Sequence, residues 1–315
     1  MSRMKSLAAG LGLTAFLATG SAFAADPESC KTVRLSDVGW TDIQATTGVA
    51  SVLLTALGYE PQVIQLSVPV TYASLKNKDI DVFLGNWMPT MEADLAPYRD
   101  DKSVETLVTN LEGAKYTLAV PSYTHEAGLK TFADIAKFKD KLGGKIYGIE
   151  PGNDGNRLIL DMIGGNKFDL GGFELVESSV AGMLSQVTRA ANSKQDVVFL
   201  GWEPHPMNAS IDMEYLAGGD EVFGPDFGGA TVHTNVRAGY ATECPNLGRL
   251  FTNMVFSLDM ENEIMGAILN DGADPKEAAA AWLKRNPETT GPWLKGVTTR
   301  DGGDAAAAVA AKLGQ

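Results

Sequence analysis

The sequence predicts an α/β protein of two lobes, each a mainly parallel sheet flanked by helices, joined by two hinge crossovers. Three observations predict it. Residues 33–87 read as strand, helix, strand, helix, strand; the same order recurs over 145–202; and the two stretches share a matched segment. Strands that alternate with helices imply parallel βαβ units. A chain of 315 residues is long enough for two domains of ordinary size, each burying its own core.

The elements follow in order. Arg3 and Lys5, an apolar run over 7–18 and the small-residue site Ala22-Phe23-Ala24 have the layout of a secretory leader over 1–24. Residues 33–38 are strand-like, and 43–57 have helical spacing that stops at Gly58. In 63–68, Ile64, Leu66 and Val68 alternate against Gln65 and Ser67, which predicts a second strand; a short helix follows Pro69. A third strand over 80–84 ends at Gly85. Residues 116–120 form a strand at the first crossover. The second unit repeats the plan with strands at 145–149, 173–176 and 196–200, the last ended by Gly201, and helices at 156–163 and 180–191. A strand over 231–240 returns the chain, and the remainder is mostly helical, including 278–283 and the Ala-rich 305–311. The expected division is 25–114 with 237–315 in the first lobe and 115–236 in the second.

The matched segments are Asp81-Val82-Phe83-Leu84-Gly85-Asn86-Trp87-Met88-Pro89 and Asp196-Val197-Val198-Phe199-Leu200-Gly201-Trp202-Glu203-Pro204, which align with one insertion. Each runs an apolar strand into Gly, Trp and Pro, so each lobe is expected to deliver a Trp at the same place. Two buried strands of like composition are the alternative.

Composition narrows the function. With 26 Lys+Arg against 39 Asp+Glu the net charge is −13, and loss of Arg3 and Lys5 with the leader takes it to −15. That balance disfavours nucleic acid and anionic lipid as partners and favours a cation. No stretch of the mature chain is apolar enough to span a membrane, so it is expected to be soluble in the periplasm. Two Cys form neither a disulfide scaffold nor a structural zinc site. In an oxidising compartment Cys30 and Cys244 are the expected pair, which would tie the first strand region to a late segment; two buried thiols are the alternative. Cys30 as a lipid-attachment site is disfavoured by Asp26-Pro27-Glu28-Ser29 before it.

Ligands of open α/β sheets sit beyond the carboxyl ends of the strands. Trp40, Trp87 and Trp202 fall there, with Asn153 of Pro151-Gly152-Asn153-Asp154-Gly155, and Tyr116 faces the same gap from the crossover. The spacing from Trp40 to Trp87 resembles that from Asn153 to Trp202, so Asn153 holds in the second lobe the place of Trp40 in the first. Aromatic faces converging on one cleft favour a cation without hydrogen-bond donors, and each contact is worth about 0.5–2 kcal/mol. A quaternary ammonium suits such a box; a primary amine loses hydration that rings do not replace. Core packing is the alternative for each Trp, and the preferred reading for Trp282 and Trp293. Asp42 has two readings: cap of the following helix, or acceptor of a ligand hydroxyl. Asn153 is open in the same way. An exported hydrolase of amine esters would need a nucleophile–base pair. Of His125, His205 and His233, only His205 lies close to a candidate site residue, and no Gly-x-Ser-x-Gly elbow or metal-type spacing accompanies it. No metal and no cofactor are expected.

These residues resemble the substrate-binding proteins of glycine betaine/choline-class ABC importers, nearest to the choline-binding members. The resemblance covers essentially the whole mature chain. It rests on Val38-Gly39-Trp40-Thr41-Asp42, Gly85-Asn86-Trp87-Met88-Pro89, Tyr116, Pro151 to Gly155, Gly201-Trp202-Glu203-Pro204 and Ala281-Trp282-Leu283-Lys284-Arg285-Asn286-Pro287. It implies a two-lobed periplasmic binding protein, type II-like, acting as a monomer with an ABC permease. It implies that Trp40, Trp87, Tyr116 and Trp202 enclose a trimethylammonium group while Asp42 and Asn153 hold the choline hydroxyl. Asp42 disfavours the carboxylate of glycine betaine or proline betaine, and acetylcholine is expected to bind weakly. Presentation of the ligand to a chemoreceptor is a further role the resemblance leaves open.

Overall fold

Parallel strands need a crossover, and Thr41–Ala56 supplies the first one as a helix. That helix is buried almost all round, with Ile43, Val49, Leu53 and Leu54 in the core. It packs between the sheet and the later helices Leu258–Asp271, Pro275–Arg285 and Ala305–Leu313. A helix covered on nearly every side carries no amphipathic stripe, and its polar residues Thr46, Thr47 and Ser51 are buried along with the apolar ones.

The computed structural model describes residues 26–314; the expected leader lies outside them. Among the described residues there are nine strands: β1 (Thr32–Asp37), β2 (Glu60–Gln65), β3 (Val82–Met88), β4 (Val104–Pro121), β5 (Lys145–Tyr147), β6 (Glu174–Val176), β7 (Phe199–Glu203), β8 (Met213–Tyr215) and β9 (Gly229–Arg237). They run in the order β2-β1-β3-β9-β4-β7-β5-β6, with β8 on β4. β1 pairs in parallel with β2 and β3, and β5 with β6 and β7. These are the two predicted parallel units. The crossovers joining them are themselves strands: β4 and β9 pair antiparallel in the middle, so the units form one mixed path. β4 pairs with β9 from Val104 to Lys115 and with β7 from Lys115 onward.

Several boundaries differ from the expectation, each for a local reason. The second strand lies at Glu60–Gln65, not 63–68; Ser67 takes the N-cap position and Pro69 the first turn of the helix Val68–Asn77. β2 is an edge strand, and Val63 and Ile64 face outward. Gly85 and Gly201 do not end their strands, which continue to Met88 and Glu203. At Gly85 a Cβ would lie 2.5 Å from Ile43 Cδ1, so this glycine lets the crossover helix close on the sheet. Phe199, not Asp196, opens β7, and β9 ends at Arg237 before Gly239 turns the chain into the helix Tyr240–Glu243. The first half of β4 escaped the sequence reading. Register shifts at three places break its alternation, and polar Asn110 is buried there, donating to Leu84 O at 2.9 Å and Thr234 Oγ1 at 3.0 Å.

Two ties hold the first unit to the returning chain. Cys30 and Cys244 form the expected disulfide, 214 residues apart in sequence. Asp81 accepts from Arg34 Nε at 2.9 Å and from Arg237 Nε at 2.7 Å, bridging β1 to β9. Burial works to raise the Asp81 carboxyl, but the two guanidiniums hold it below the usual range. Trp282 and Trp293 are packing residues as expected: both are buried, and their indole N–H groups donate to Glu263 Oε2 at 2.8 Å and Val255 O at 3.0 Å.

Candidate functional site

Trp40 is placed by a tight turn. Gly39 has φ +85°, and its N–H donates to Asp37 Oδ1 at 2.7 Å, swinging the chain from β1 into the helix Thr41–Ala56. Trp40 itself takes the N-cap position, and Asp42 sits in the first turn, where the helix dipole favours an acid. Asp42 is therefore not the N-cap residue, but its carboxyl does meet the backbone N–H groups of Asp42 and Ile43 at the start of that helix. Its Oδ2 also accepts from Trp87 Nε1 at 3.1 Å, and Asp42 is buried. Burial pushes its carboxyl up to about 7, against the opposing pull of the Trp87 N–H.

Trp87 lies one residue before the end of β3, and Trp202 one before the end of β7. The Met88–Pro89 and Glu203–Pro204 peptide bonds that follow are both cis. Tyr116 stands directly opposite Trp202 in the β4–β7 register. Its ring centroid is 6.3 Å from that of Trp202 and 6.0 Å from that of Trp87. Tyr116 therefore joins the tryptophans of the two units.

Trp40, Asp42, Trp87, Tyr116 and Trp202 line one cavity together with Ile149. Its wall is almost wholly apolar. Five of the six expected site residues thus meet at one place, from both units. Asn153 does not line the cavity. It caps the helix Asp154–Gly164, its Oδ1 accepting from Asn156 N at 3.0 Å and from the Tyr116 hydroxyl at 2.9 Å. Its Nδ2 donates to Asp154 Oδ1 at 3.1 Å. Asn153 is thus a cap and also fixes the Tyr116 ring from behind.

Three residues of the site region were missed from sequence. Ile149 falls in the loop after β5 and joins the cavity wall. Glu150, next to it, accepts from Trp40 Nε1 at 2.6 Å across the cleft. Arg157 donates to Thr90 O at 3.0 Å and to Asp94 Oδ2 at 2.8 Å, again from the second unit to the first. Pairings this distant in sequence have no local signal; an unusual run such as Ile149-Glu150-Pro151 could at most have flagged the loop. His205 packs edge-on against Trp202 at 5.0 Å, its Nδ1 accepts from Met207 N, and burial lowers it to about 4. It is a neutral ring supporting Trp202.

The family model for the substrate-binding domain of ABC-type glycine betaine transport systems, OpuAC, matches residues 31–285. The structure is similar, at 70% identity and a TM-score of 0.90, to an ABC-transporter choline-binding protein in complex with choline, covering 91% of this chain and all of that one. It is also similar to an ABC-transporter choline-binding protein in an unliganded semi-closed conformation, at 70% identity over the same shares of both chains and a TM-score of 0.84. Lactococcal OpuAC, closed on glycine betaine, is 27% identical at a TM-score of 0.76, over 84% of this chain and 99% of that one. The mixed two-lobed fold, the meeting of both units at one aromatic cavity and the family match agree, and the exported-hydrolase alternative falls with them: the chain belongs to the OpuAC family of ABC-transporter substrate-binding domains.

Proposed function

We propose that this protein captures choline in the cavity between its lobes and presents the closed, loaded form to an ABC permease. The observation that carries the reading is one cavity walled by Trp40, Trp87, Tyr116 and Trp202, with the Asp42 carboxyl among them. Ring quadrupoles attract a cation without requiring donors, and four contacts of about 0.5–2 kcal/mol each supply much of a micromolar affinity of about −8 kcal/mol. Asp42 adds negative charge and accepts the choline hydroxyl; Asn153 acts by holding Tyr116. The choline complex of a protein 70% identical to this chain supports the assignment.

The further parts of the proposal rest on the sequence. The leader over 1–24 directs the chain to the periplasm, where it works as a soluble monomer, and acetylcholine binds more weakly than choline. Lobe boundaries at 25–114 with 237–315 and at 115–236 are supported by the exchange of β4 partners at Lys115. Glycine betaine is the second reading, favoured by the family description and by lactococcal OpuAC.

Titration of intrinsic Trp fluorescence with choline, glycine betaine, acetylcholine and proline tests the assignment. Choline is expected to give the tightest saturable change and proline none. Trp87→Ala and Trp202→Ala are each expected to weaken choline at least tenfold, about 1.4 kcal/mol, by titration calorimetry. Unchanged affinity in both variants, or tighter binding of glycine betaine, refutes it.

A further inference from the structure

We propose that Glu150 is a positioning residue for the site: it locks Trp40 across the closed cleft and makes the site prefer a net cation over a zwitterion. The proposal rests on the choline reading above.

Trp40 belongs to the first unit and Glu150 to the second, 110 residues later, yet Trp40 Nε1 donates to Glu150 Oε1 at 2.6 Å. That is at the short end for a nitrogen donor, as expected when the acceptor is a carboxylate. Both ends of the bond are held. Trp40 is 6% exposed and fixed by the Gly39 turn. Around Glu150 the loop is pinned by Asn156, whose Nδ2 donates to Ile149 O at 2.9 Å and Glu150 O at 3.1 Å, and whose Oδ1 accepts from Ile149 N at 3.0 Å. Glu150 is therefore a placed group, not a surface acid swinging over the cleft.

Two consequences follow from this geometry. First, the bond joins elements of different lobes, so it exists only when they are closed. A contact made only in the closed state shifts the population toward closure, and its loss shortens the lifetime of the complex more than it slows encounter. Second, two of the cavity's indole N–H groups are given to carboxylates, Trp87 to Asp42 and Trp40 to Glu150. Donation to an anion polarises the indole and makes its face more attractive to a cation. The two carboxylates come from opposite lobes. They reinforce one another for choline, and both repel the carboxylate of a betaine.

The test uses the full mature chain and the variants Glu150→Ala, Glu150→Gln, Trp40→Phe and Trp40→Phe with Glu150→Ala. Choline and glycine betaine affinities are measured by calorimetry, dissociation by stopped-flow fluorescence, and folding by thermal melting. Glu150→Ala is expected to weaken choline at least fivefold, mainly through faster dissociation. Glu150→Gln keeps an oxygen acceptor and is expected to recover part of that loss. Both variants are expected to lower the choline-to-betaine affinity ratio at least threefold. Trp40→Phe keeps a ring without its N–H, so the effect of Glu150→Ala is expected to shrink at least threefold in that background. A smaller loss in Glu150→Ala, no recovery with Gln, an unchanged ratio or an equal effect in both backgrounds overturns the proposal. If the unaltered protein itself fails to bind choline, the ligand assignment has failed instead.

Discussion

Gly155 touches the ligand cavity only through Tyr116, and one methyl group there is expected to dismantle the aromatic box. Gly155 is the second residue of the helix Asp154–Gly164, and an added Cβ would lie 2.1 Å from Tyr116 Oη, 2.7 Å from its Cζ and 3.0 Å from Leu200 Cδ1. Neither neighbour can yield easily. The ring stands on β4, buried between Trp87 and Trp202, and its hydroxyl is held by Asn153. Relief requires the ring to turn out of place. That forfeits a buried hydrogen bond, about 1 kcal/mol, and one desolvated cation–π face, about 1–2 kcal/mol. The hydrogen bond is lost from free and bound protein alike, so the cation–π face sets the loss of affinity, and Gly155→Ala is expected to weaken choline by roughly 5- to 30-fold. Overpacking of about 1–3 kcal/mol acts on stability, partly offset by the better helix propensity of Ala, about 1 kcal/mol. Gly164→Ala in the same helix is the control, because nothing lies within 4 Å of its added Cβ. Calorimetry on both variants and thermal melts decide the matter. If Gly155→Ala binds choline as tightly as Gly164→Ala does, the ring is not held as described and the reasoning fails.

Two further predictions concern closure and protonation. Arg157→Ala removes the bonds to Thr90 O and Asp94 that cross the cleft, so the free protein is expected to scatter as a more open particle and to bind choline about three- to tenfold more weakly; unchanged small-angle scattering and affinity count against it. The Asp42 carboxyl is raised from 3.8 to about 7 by burial, so it is increasingly protonated below that pH, and choline affinity is expected to fall by up to tenfold per unit from pH 7 toward 5 and to level off above 8. Stability of the ligand-free protein moves the other way. Asp42 and Asp154 are both raised to about 7, also by burial, so between 3.8 and 7 the folded state holds more protons than the unfolded one. Stability is expected to rise on acidification from pH 8 to 5, by up to about 1.4 kcal/mol per unit for each group. Melts that drop over that window refute the assignment.

The two parallel units were legible because βαβ periodicity and the Gly-Trp-Pro endings are local signals. Five of the six cavity residues were legible: Trp40, Asp42, Trp87 and Trp202 lie at or just beyond strand ends that the pattern locates, and Tyr116 opens the apolar half of β4. Three things were not. The first half of β4 is bulged and lined by polar residues that bond across to β3 and β9, so it carries no alternation. Gly85 and Gly201 read as terminators, since a sequence does not distinguish a glycine that turns the chain from one that admits a neighbour's side chain. Asn153 reads from sequence as ligand contact or cap, and its bond to the Tyr116 hydroxyl, 37 residues away, has no local signal. Contacts across the cleft, Glu150 with Trp40 and Arg157 with Asp94, are products of the closed tertiary arrangement and leave no periodic trace.

Aromatic faces suit the trimethylammonium group proposed for this cavity, but choline and glycine betaine both carry one, so rings alone do not separate them. On the proposed reading the separation comes from charge, and the acids near the cavity are placed to supply it. Asp42 and Glu150 accept from two of the box indoles, Asp154 adjoins Asn153, and Glu261 is wholly buried and near enough to Asp42 to raise its own carboxyl further beyond the effect of burial. Burial raises all four. A full positive charge about 5 Å from a carboxylate at an effective dielectric near 20 is worth about 3 kcal/mol, or roughly two pKa units. That is enough to ionise Asp42 at neutral pH and recover its attraction in full. A betaine brings its own carboxylate into the same cluster, which offsets that gain and leaves the acids closer to their protonated forms. Choline binding should thus release protons in buffers near pH 6 while betaine binding releases fewer, a difference that calorimetry in buffers of unlike ionisation enthalpy measures directly. Equal proton release by the two ligands would show that the acids around the cavity do not set the preference.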